Sequence, residues 1–401
     1  MLPKILAWAF ISGEMTAEAA AERAKAAVGD RRWLPGLARR FVRKFGSEQK
    51  PRLIDAIAFI RGDDNEAVRA ALSAYAKMRP PLQMLPAEAA REWGLPAIVT
   101  PAALADWLCL GVEELDWLAN LRGKAEPGHY RYQMVVKKGG TERLLEAPKV
   151  RLKAAQSRIL REILDLVPGH EAAHGFRAGR SIRSFAAPHV GQAVLLRMDL
   201  REFFPTIRRA RVVAVFRTLG YPEKVAFLLA GLCTTAASMG GPLYRHPHLP
   251  QGAPTSPALA NFCFYRVDCR LAGLAASAGL HYTRYADDLA FSGPSICDEL
   301  VARIGAIVYE EGFTVQYRKT RMMRQGVGQR LAGLVVNSKC NVPRDEFDRL
   351  KATLYNCAQS GPGELTRELL TGRVAFVESV NPGRGRKLRA LLEGIRWADE
   401  G

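Results

Sequence analysis

The sequence predicts an α+β protein carrying an N-terminal helical extension. Before about residue 120 the apolar residues recur at helical spacing. From about residue 130 short β-rich runs alternate with helical segments, without the regular βαβ rhythm of a doubly wound parallel sheet. At 401 residues the chain is long enough for a real core, as one large domain or two to three smaller ones.

The start, "MLPKILAWAFISGE", has one Lys and a seven-residue apolar run, too short for a secretion signal and followed by acidic helix. "TAEAAAERAKAAV", "RLIDAIAFIRG" and "DNEAVRAALSAYAKM" read as helices. "RPPLQMLP" is a Pro-rich break that puts a boundary near residues 80–100. "TPAALADWLCLGVEELDWLANL" opens with a Thr cap and Pro at the first helical position. "YRYQMVVKKGGTERLLEAP" reads as two strands around a Gly-Gly turn, and "KVRLKAAQSRILREILDLV" as a basic amphipathic helix. "QAVLLRMDL" is a buried strand ending at Asp199, and "PTSPALANFCFYRVDCRLAGLAASA" a helix. "HYTRYADDLAFSG" reads as a hairpin with its tip at the aspartates. "GFTVQY" and "QRLAGLVVN" are expected as strands, and the chain from 344 onward as basic helices.

The composition, 48% hydrophobic and 24% charged, is that of a globular protein, but the formal charge of +18 is unusual. Residues 1–120 hold 16 Lys/Arg against 15 Asp/Glu, and 121–401 hold 42 against 25. The excess predicts a polyanion-binding body with steeply salt-dependent affinity, behind a near-neutral segment expected to make protein contacts. Seven scattered cysteines without a CxxC pair point to reduced thiols in a cytoplasmic protein and against a disulfide frame or zinc site. No apolar stretch is long enough to span a membrane, so no membrane partner is expected.

Asp287 and Asp288 sit side by side between apolar runs, and Asp199 ends an apolar strand 88 residues before the first of them. Buried carboxylates are costly unless cations neutralise them. Three carboxylates meeting at strand tips suit hard Mg²⁺, which prefers one or two carboxylates plus substrate phosphates. A pair of such ions can clamp the attacking and leaving oxygens of an in-line displacement. The plain alternative for each aspartate is a hairpin-turn residue. His246 and His248 in "YRHPHLP" lack a third ligand nearby and read as loop.

"RMDLREFFPTI" (197–207), "QGAPTSP" (251–257) and "YADD" occur in this order and resemble the palm motifs of bacterial reverse transcriptases. "RYQMVVKKGGTERLLEAPKVRLKAAQSRIL" and "HGFRAGRSI" are similar to the family's fingers, and "GFTVQYRKT" and "LAGLVVN" to the segments after its catalytic hairpin. The resemblance covers roughly 105–395 and is closest to retron enzymes. "FAAPHVG" (185–191) occupies the place of their N-A-x-x-H segment, with Phe185 where Asn is expected, and Leu331-Ala332-Gly333 replaces their V-T-G triplet.

The resemblance implies a right-hand polymerase: an N-terminal helical extension (1–100), fingers (101–190), palm (191–340) and helical thumb (341–401). It implies an RNA-directed DNA polymerase using two Mg²⁺ ions, or Mn²⁺ in their place. Asp199 and Asp287 would bind both metals, with Asp288 supporting them less directly. Phe204 would exclude a ribose 2′-OH. Gln251, Lys137, Arg143 and Lys319 would lie at the nucleotide, and His189 would contact RNA. The implied partners are dNTPs, a structured non-coding RNA that is template and primer, its single-stranded DNA product and an accessory effector protein. Antiphage defence is the implied role. The alternatives are another defence-associated reverse transcriptase with a different template or primer, and a catalytically silent RNA-binding scaffold.

Overall fold

The computed structural model describes residues 2–46, 50–77, 84–119, 128–136 and 142–397. The chain divides into two compact units, Met1–Leu82 and Gln83–Gly401.

The first unit is a bundle of α1 (Leu2–Ile11), α2 (Ala17–Val28), α3 (Leu34–Phe45), α4 (Leu53–Arg61) and α5 (Glu66–Lys77). Thr16 caps α2, its hydroxyl accepting from the Ala19 amide at 3.3 Å. Helices α1 and α3 are additions to those expected. The opening apolar run buries Leu2, Leu6, Ala7 and Phe10 in the unit's core. Helix α3 buries Leu34, Leu37, Ala38 and Phe41, the i, i+3, i+4, i+7 stripe of an amphipathic helix. Phe10 and Phe41 meet there with ring centroids 4.9 Å apart.

The second unit begins with α6 (Pro101–Leu108) and α7 (Val112–Leu118). The single helix expected here is broken because Cys109 adopts φ 55°, a left-handed cap that ends α6. Strands β1 (Tyr130–Val136) and β2 (Glu142–Pro148) form the expected antiparallel pair, followed by α8 (Val150–Glu162). The central sheet comprises β3 (Val194–Asp199), β4 (His281–Tyr285), β5 (Asp288–Gly293) and β6 (Arg321–Arg324), in the antiparallel order β4-β5-β3-β6. A short helix, α9 (Ile182–Ala186), precedes β3, and between β3 and β6 come α10 (Phe203–Thr206), α11 (Arg209–Thr218), α12 (Glu223–Leu232), α13 (Ser256–Ser277) and α14 (Asp298–Glu310). After a short hairpin, β7 (Arg330–Leu331) and β8 (Leu334–Val335), the chain ends in α15 (Arg344–Ser360), α16 (Arg367–Val380) and α17 (Pro382–Glu393).

The sheet is buried on both faces, which explains why β3 reads as a continuous apolar run. Leu196 and Met198 join the larger core with residues of α11 to α14. Leu195, Ala290 and Phe185 join a second core with residues of α15 to α17. "GFTVQY" is not a strand. Phe313 and Val315 are buried in the larger core, but Val315 makes a single bridge to Leu200 before a tight turn at Tyr317–Lys319. Its apolar alternation records burial of a loop beneath the sheet edge.

Candidate active site

Strand pairing places Asp199 directly across from Asp288. Asp287 occupies the tight turn between β4 and β5, following Ala286 at φ 55°. The backbone fixes this corner twice: the Leu200 amide donates to the Asp287 carbonyl at 2.9 Å, and the Gln316 amide to the Asp199 carbonyl at 2.7 Å. The aspartates expected at adjacent strand tips are therefore brought together.

Two cations answer two of the carboxylates. Lys319 Nζ lies 3.0 Å from both oxygens of Asp199. Arg197 Nε and Nη2 donate to Asp288 at 2.8–3.1 Å. Asp287 makes no ion pair with any described residue. Burial first, then the Asp199 charge, holds its carboxyl above the usual aspartate range. Burial likewise raises Asp288, with Arg197 opposing it. Arg197 went unpredicted, though an Arg two residues before Asp199 in an apolar strand shares that residue's face by the period-2 rule.

Beneath the turn lies a buried polar network that the sequence reading missed. Arg284 is fully buried, with Nε and Nη2 donating to Asp268 at 2.9 and 2.7 Å. Its Nη1 donates at 3.0 Å to the Asn261 side chain and at 3.0 Å to the Ala286 carbonyl, inside the turn itself. Tyr282 donates its hydroxyl to Asp268 at 2.7 Å. Asn261 donates in turn to the Gly175 carbonyl at 3.0 Å. A Cβ on Gly175 would lie 2.6 Å from the Ala286 amide nitrogen, so the "HGF" loop presses on the turn only because that residue is glycine. The available signal was Asn261 and Asp268 falling in the apolar stripe of α13, spaced with Phe264 and Leu271.

The remaining expected residues fall into separate places. Phe204 is half-buried in α10, its ring 6.3 Å from that of Phe176, which in turn lies 6.3 Å from Tyr285. Arg143 Nε donates to Gln251 Oε1, joining the β1–β2 hairpin to the "QGAPTSP" loop. Gln251 Nε2 donates to the Tyr244 hydroxyl at 3.1 Å, and that hydroxyl donates to Glu202 at 3.1 Å. The Gln251 amide donates to the buried Glu146, which also meets His248 Nε2 at 3.1 Å. Gly252, at φ 136°, passes close to the Glu146 carbonyl, where a Cβ would sit at 3.1 Å. A cavity of about 570 Å³ opens beside this chain, lined by Met134, Leu144, Arg201, Glu202 and Tyr244 among others. Lys137 lies outside the described residues.

His189 is a correction. Its side chain is fully buried, with Nδ1 2.6 Å from Ser292 Oγ and Nε2 2.7 Å from Thr283 Oγ1. Burial, then the neighbouring His281 and His174, lowers its pKa to about 3. A neutral ring with both nitrogens engaged inside the protein ties α9 and its following turn to β4 and β5 and has nothing left to offer RNA.

The donor set suits a hard divalent cation: carboxylate oxygens alone, those of Asp287 in no ion pair with a described residue. Among the described residues no group of three or more His, Cys, Asp or Glu side chains is arranged to hold a metal ion by itself. Mg²⁺ needs one or two carboxylates, with substrate phosphates and water completing its coordination. Asp287 is the carboxylate without an ion pair among the described residues, whereas Lys319 engages Asp199 and Arg197 engages Asp288.

An antiparallel sheet with carboxylates at its central strand tips is the arrangement expected of a nucleic-acid polymerase's palm. Residues 135–349 match the family described as "Reverse transcriptase (RNA-dependent DNA polymerase)". The chain is 42% identical over 316 residues to the Retron Mx65 reverse transcriptase of Myxococcus xanthus, covering 76% of this chain and 74% of that one. It is 38% identical to the Retron Mx162 reverse transcriptase of the same organism, over 76% of this chain and 69% of that one. It is 34% identical to the Retron Ec86 reverse transcriptase of Escherichia coli, over 66% and 81%. Among solved structures it is similar to a foamy viral protease-reverse transcriptase at 14% identity and TM-score 0.38, covering 69% of this chain and about a third (32%) of that one. That likeness is too distant to add weight. The chain belongs to the retron reverse transcriptases and is an RNA-directed DNA polymerase with the right-hand fold of that family. Among the described residues no helix is long and apolar enough to cross a membrane.

Proposed function

We propose that this retron polymerase copies part of a structured non-coding RNA into single-stranded DNA, starting from an internal 2′-OH of that RNA and leaving a branched RNA–DNA product. The observation that carries the reading is the Asp287 carboxylate, without an ion pair among the described residues, beside Asp199 at the strand tips. Asp199 and Asp287 would hold two Mg²⁺ ions, with Mn²⁺ as substitute. The ions, when bound, supply the charge stabilisation of nucleotidyl transfer. Asp288 keeps Arg197 in place and tunes the negative potential of the corner. Lys319 balances Asp199 and would meet an incoming phosphate.

Fingers (101–190), palm (191–340) and thumb (341–401) are proposed for the second unit; the extension expected at 1–100 is drawn at residues 1–82, because Leu85 and Ile98 pack with the second unit. Arg143 and Gln251, already in contact with each other, would meet the dNTP. Phosphate and sugar contacts from the basic α8 and α17 would position an RNA–DNA hybrid without reading its sequence. An accessory effector and a role in antiphage defence complete the proposal. It is tested by incubating the protein with the structured RNA encoded beside its gene, dNTPs and Mg²⁺. DNA that stays covalently attached to RNA after denaturation supports 2′-OH priming. Free or protein-linked DNA would assign another primer, and no DNA at all would leave an RNA-binding scaffold. Chelation by EDTA is expected to stop synthesis, and Mn²⁺ or Mg²⁺ to restore it.

Phe204 is proposed to discriminate the sugar. Its half-buried ring is braced by Phe203 and Phe176 at 5.6 and 6.3 Å, so its position is set by packing. Phe204→Val is expected to raise the rNTP-to-dNTP ratio of kcat/KM by about tenfold or more, by removing a clash with the 2′-OH. An unchanged ratio in a variant that still polymerises would make Phe204 a core residue.

A further inference from the structure

The charge balance of residues 1–120 hides a division that only the boundary between the two units reveals. Residues 1–82 hold 15 Lys/Arg against 9 Asp/Glu, while residues 83–120 hold one against six. The first unit is thus basic, and its excess is local. Residues 31–52 contain eight Lys/Arg and a single acid, Glu48.

Helix α3 arranges these charges. With Leu34, Leu37, Ala38 and Phe41 in the core, Arg39 and Arg43 project from the opposite face, and Arg31 and Arg32 are exposed just ahead of it. Arg40 has a structural task, gripping the buried Asp63 with two bonds of 2.9 Å. Lys44 lies over the rings of Phe45 and Phe59 at 5.6 and 5.3 Å. By contrast Arg31, Arg32 and Arg43 make no ion pair with any described residue, and Arg39 bonds just the Pro35 carbonyl of its own helix at 3.3 Å. Arg39 and Arg43, four residues apart, are separated by about 6 Å along the axis, a spacing suited to successive phosphates. Acids next to this face already have partners: Asp30 has Lys25, Asp63 has Arg40 and Asp64 has Arg69.

We propose that α3 and the arginines preceding it form a second RNA-binding surface, on the unit that lies outside the polymerase match, which grips the phosphates of a folded RNA. The choice of RNA over another polyanion rests on the reading of this chain as an enzyme that copies a structured RNA. A membrane surface suits the face poorly, since the apolar stripe such a helix would insert is already packed against α1, α2 and α4. The surface also replaces the expectation that this segment makes protein contacts because its charge is balanced.

The test uses the full chain with Arg31→Gln, Arg32→Gln, Arg39→Gln and Arg43→Gln combined, titrated with a plain RNA stem-loop over a range of salt. Affinity near 100 mM salt is expected to fall by about tenfold or more, and the slope of log K against log salt to flatten by about 3. The matching Arg→Lys variant should keep the slope, and the two pairwise Gln variants should each lose about half of the change, which guards against misfolding of the fourfold variant. DNA synthesis on a short pre-annealed primer-template should stay at the wild-type level in all of them, so failure of the polymerase reading would show separately, as no synthesis by any protein. Unchanged RNA affinity and slope in the fourfold variant would overturn the proposal. So would lost binding to phosphatidylserine vesicles with RNA binding intact, which would assign the face to a membrane.

Discussion

Asp287→Asn is expected to reduce DNA synthesis by at least about a hundredfold while raising the melting temperature of the metal-free protein. The two effects share one cause. Burial and the Asp199 charge hold the Asp287 carboxyl above its ordinary range, so its ionised form is a burden on the folded state. Neutral Asn keeps the size and the turn geometry but removes the repulsion. The same negative charge is what a divalent ion and a triphosphate require at the strand tips, so relieving the strain removes the function. A primer-extension assay and a thermal melt without and with Mg²⁺ check both parts. Added Mg²⁺ should stabilise the wild-type protein more than the variant, by mass action on the folded state. Retained synthesis, or a variant less stable than wild type, would refute this account of the corner.

Asp268→Ala is expected to cost about 3–5 kcal/mol of stability, because it strands the fully buried Arg284 without its counter-charge. The pair is a poor source of net stability but a strong source of geometry, since Arg284 also bonds Asn261 and the Ala286 carbonyl inside the turn that carries Asp287. Replacing both partners with apolar residues, Asp268→Leu with Arg284→Met, should recover much of the lost stability. It should not recover DNA synthesis, because nothing then holds the Ala286 carbonyl or links Asn261 to the turn. Denaturant melts beside primer-extension rates separate the two effects. Full activity in the apolar double variant would show that Arg284 serves packing alone.

Local pattern made much of this legible in the sequence. An apolar run ending in Asp199, a hairpin of alternating residues tipped by Asp287, and a Thr-Pro start at Thr100 and Pro101 each depend on neighbours a few positions away, and each lies where it was expected. The misreadings have equally specific causes. "GFTVQY" alternates because its loop packs into the core, and an alternating pattern does not state whether a partner strand is present. His189 stands in a recognisable segment, yet the hydroxyls that satisfy it, Thr283 and Ser292, come from strands about 100 residues later.

The order of the palm motifs, the identity of the carboxylates and the basic character of the chain were determined by sequence alone, because each is a property of residue type and spacing. Which cation meets which carboxylate was decided only by tertiary structure. Lys319 reaches Asp199 because the chain turns after Gln316, and Arg197 reaches Asp288 because β3 and β5 pair in one register. The same holds for Arg284, whose counter-charge lies on α13, and for the basic face of α3, which a net count over residues 1–120 cancels against acids in the other unit. Charge adds along a chain without regard to position, but Coulomb attraction and burial act between neighbours in space, and the fold chooses those neighbours.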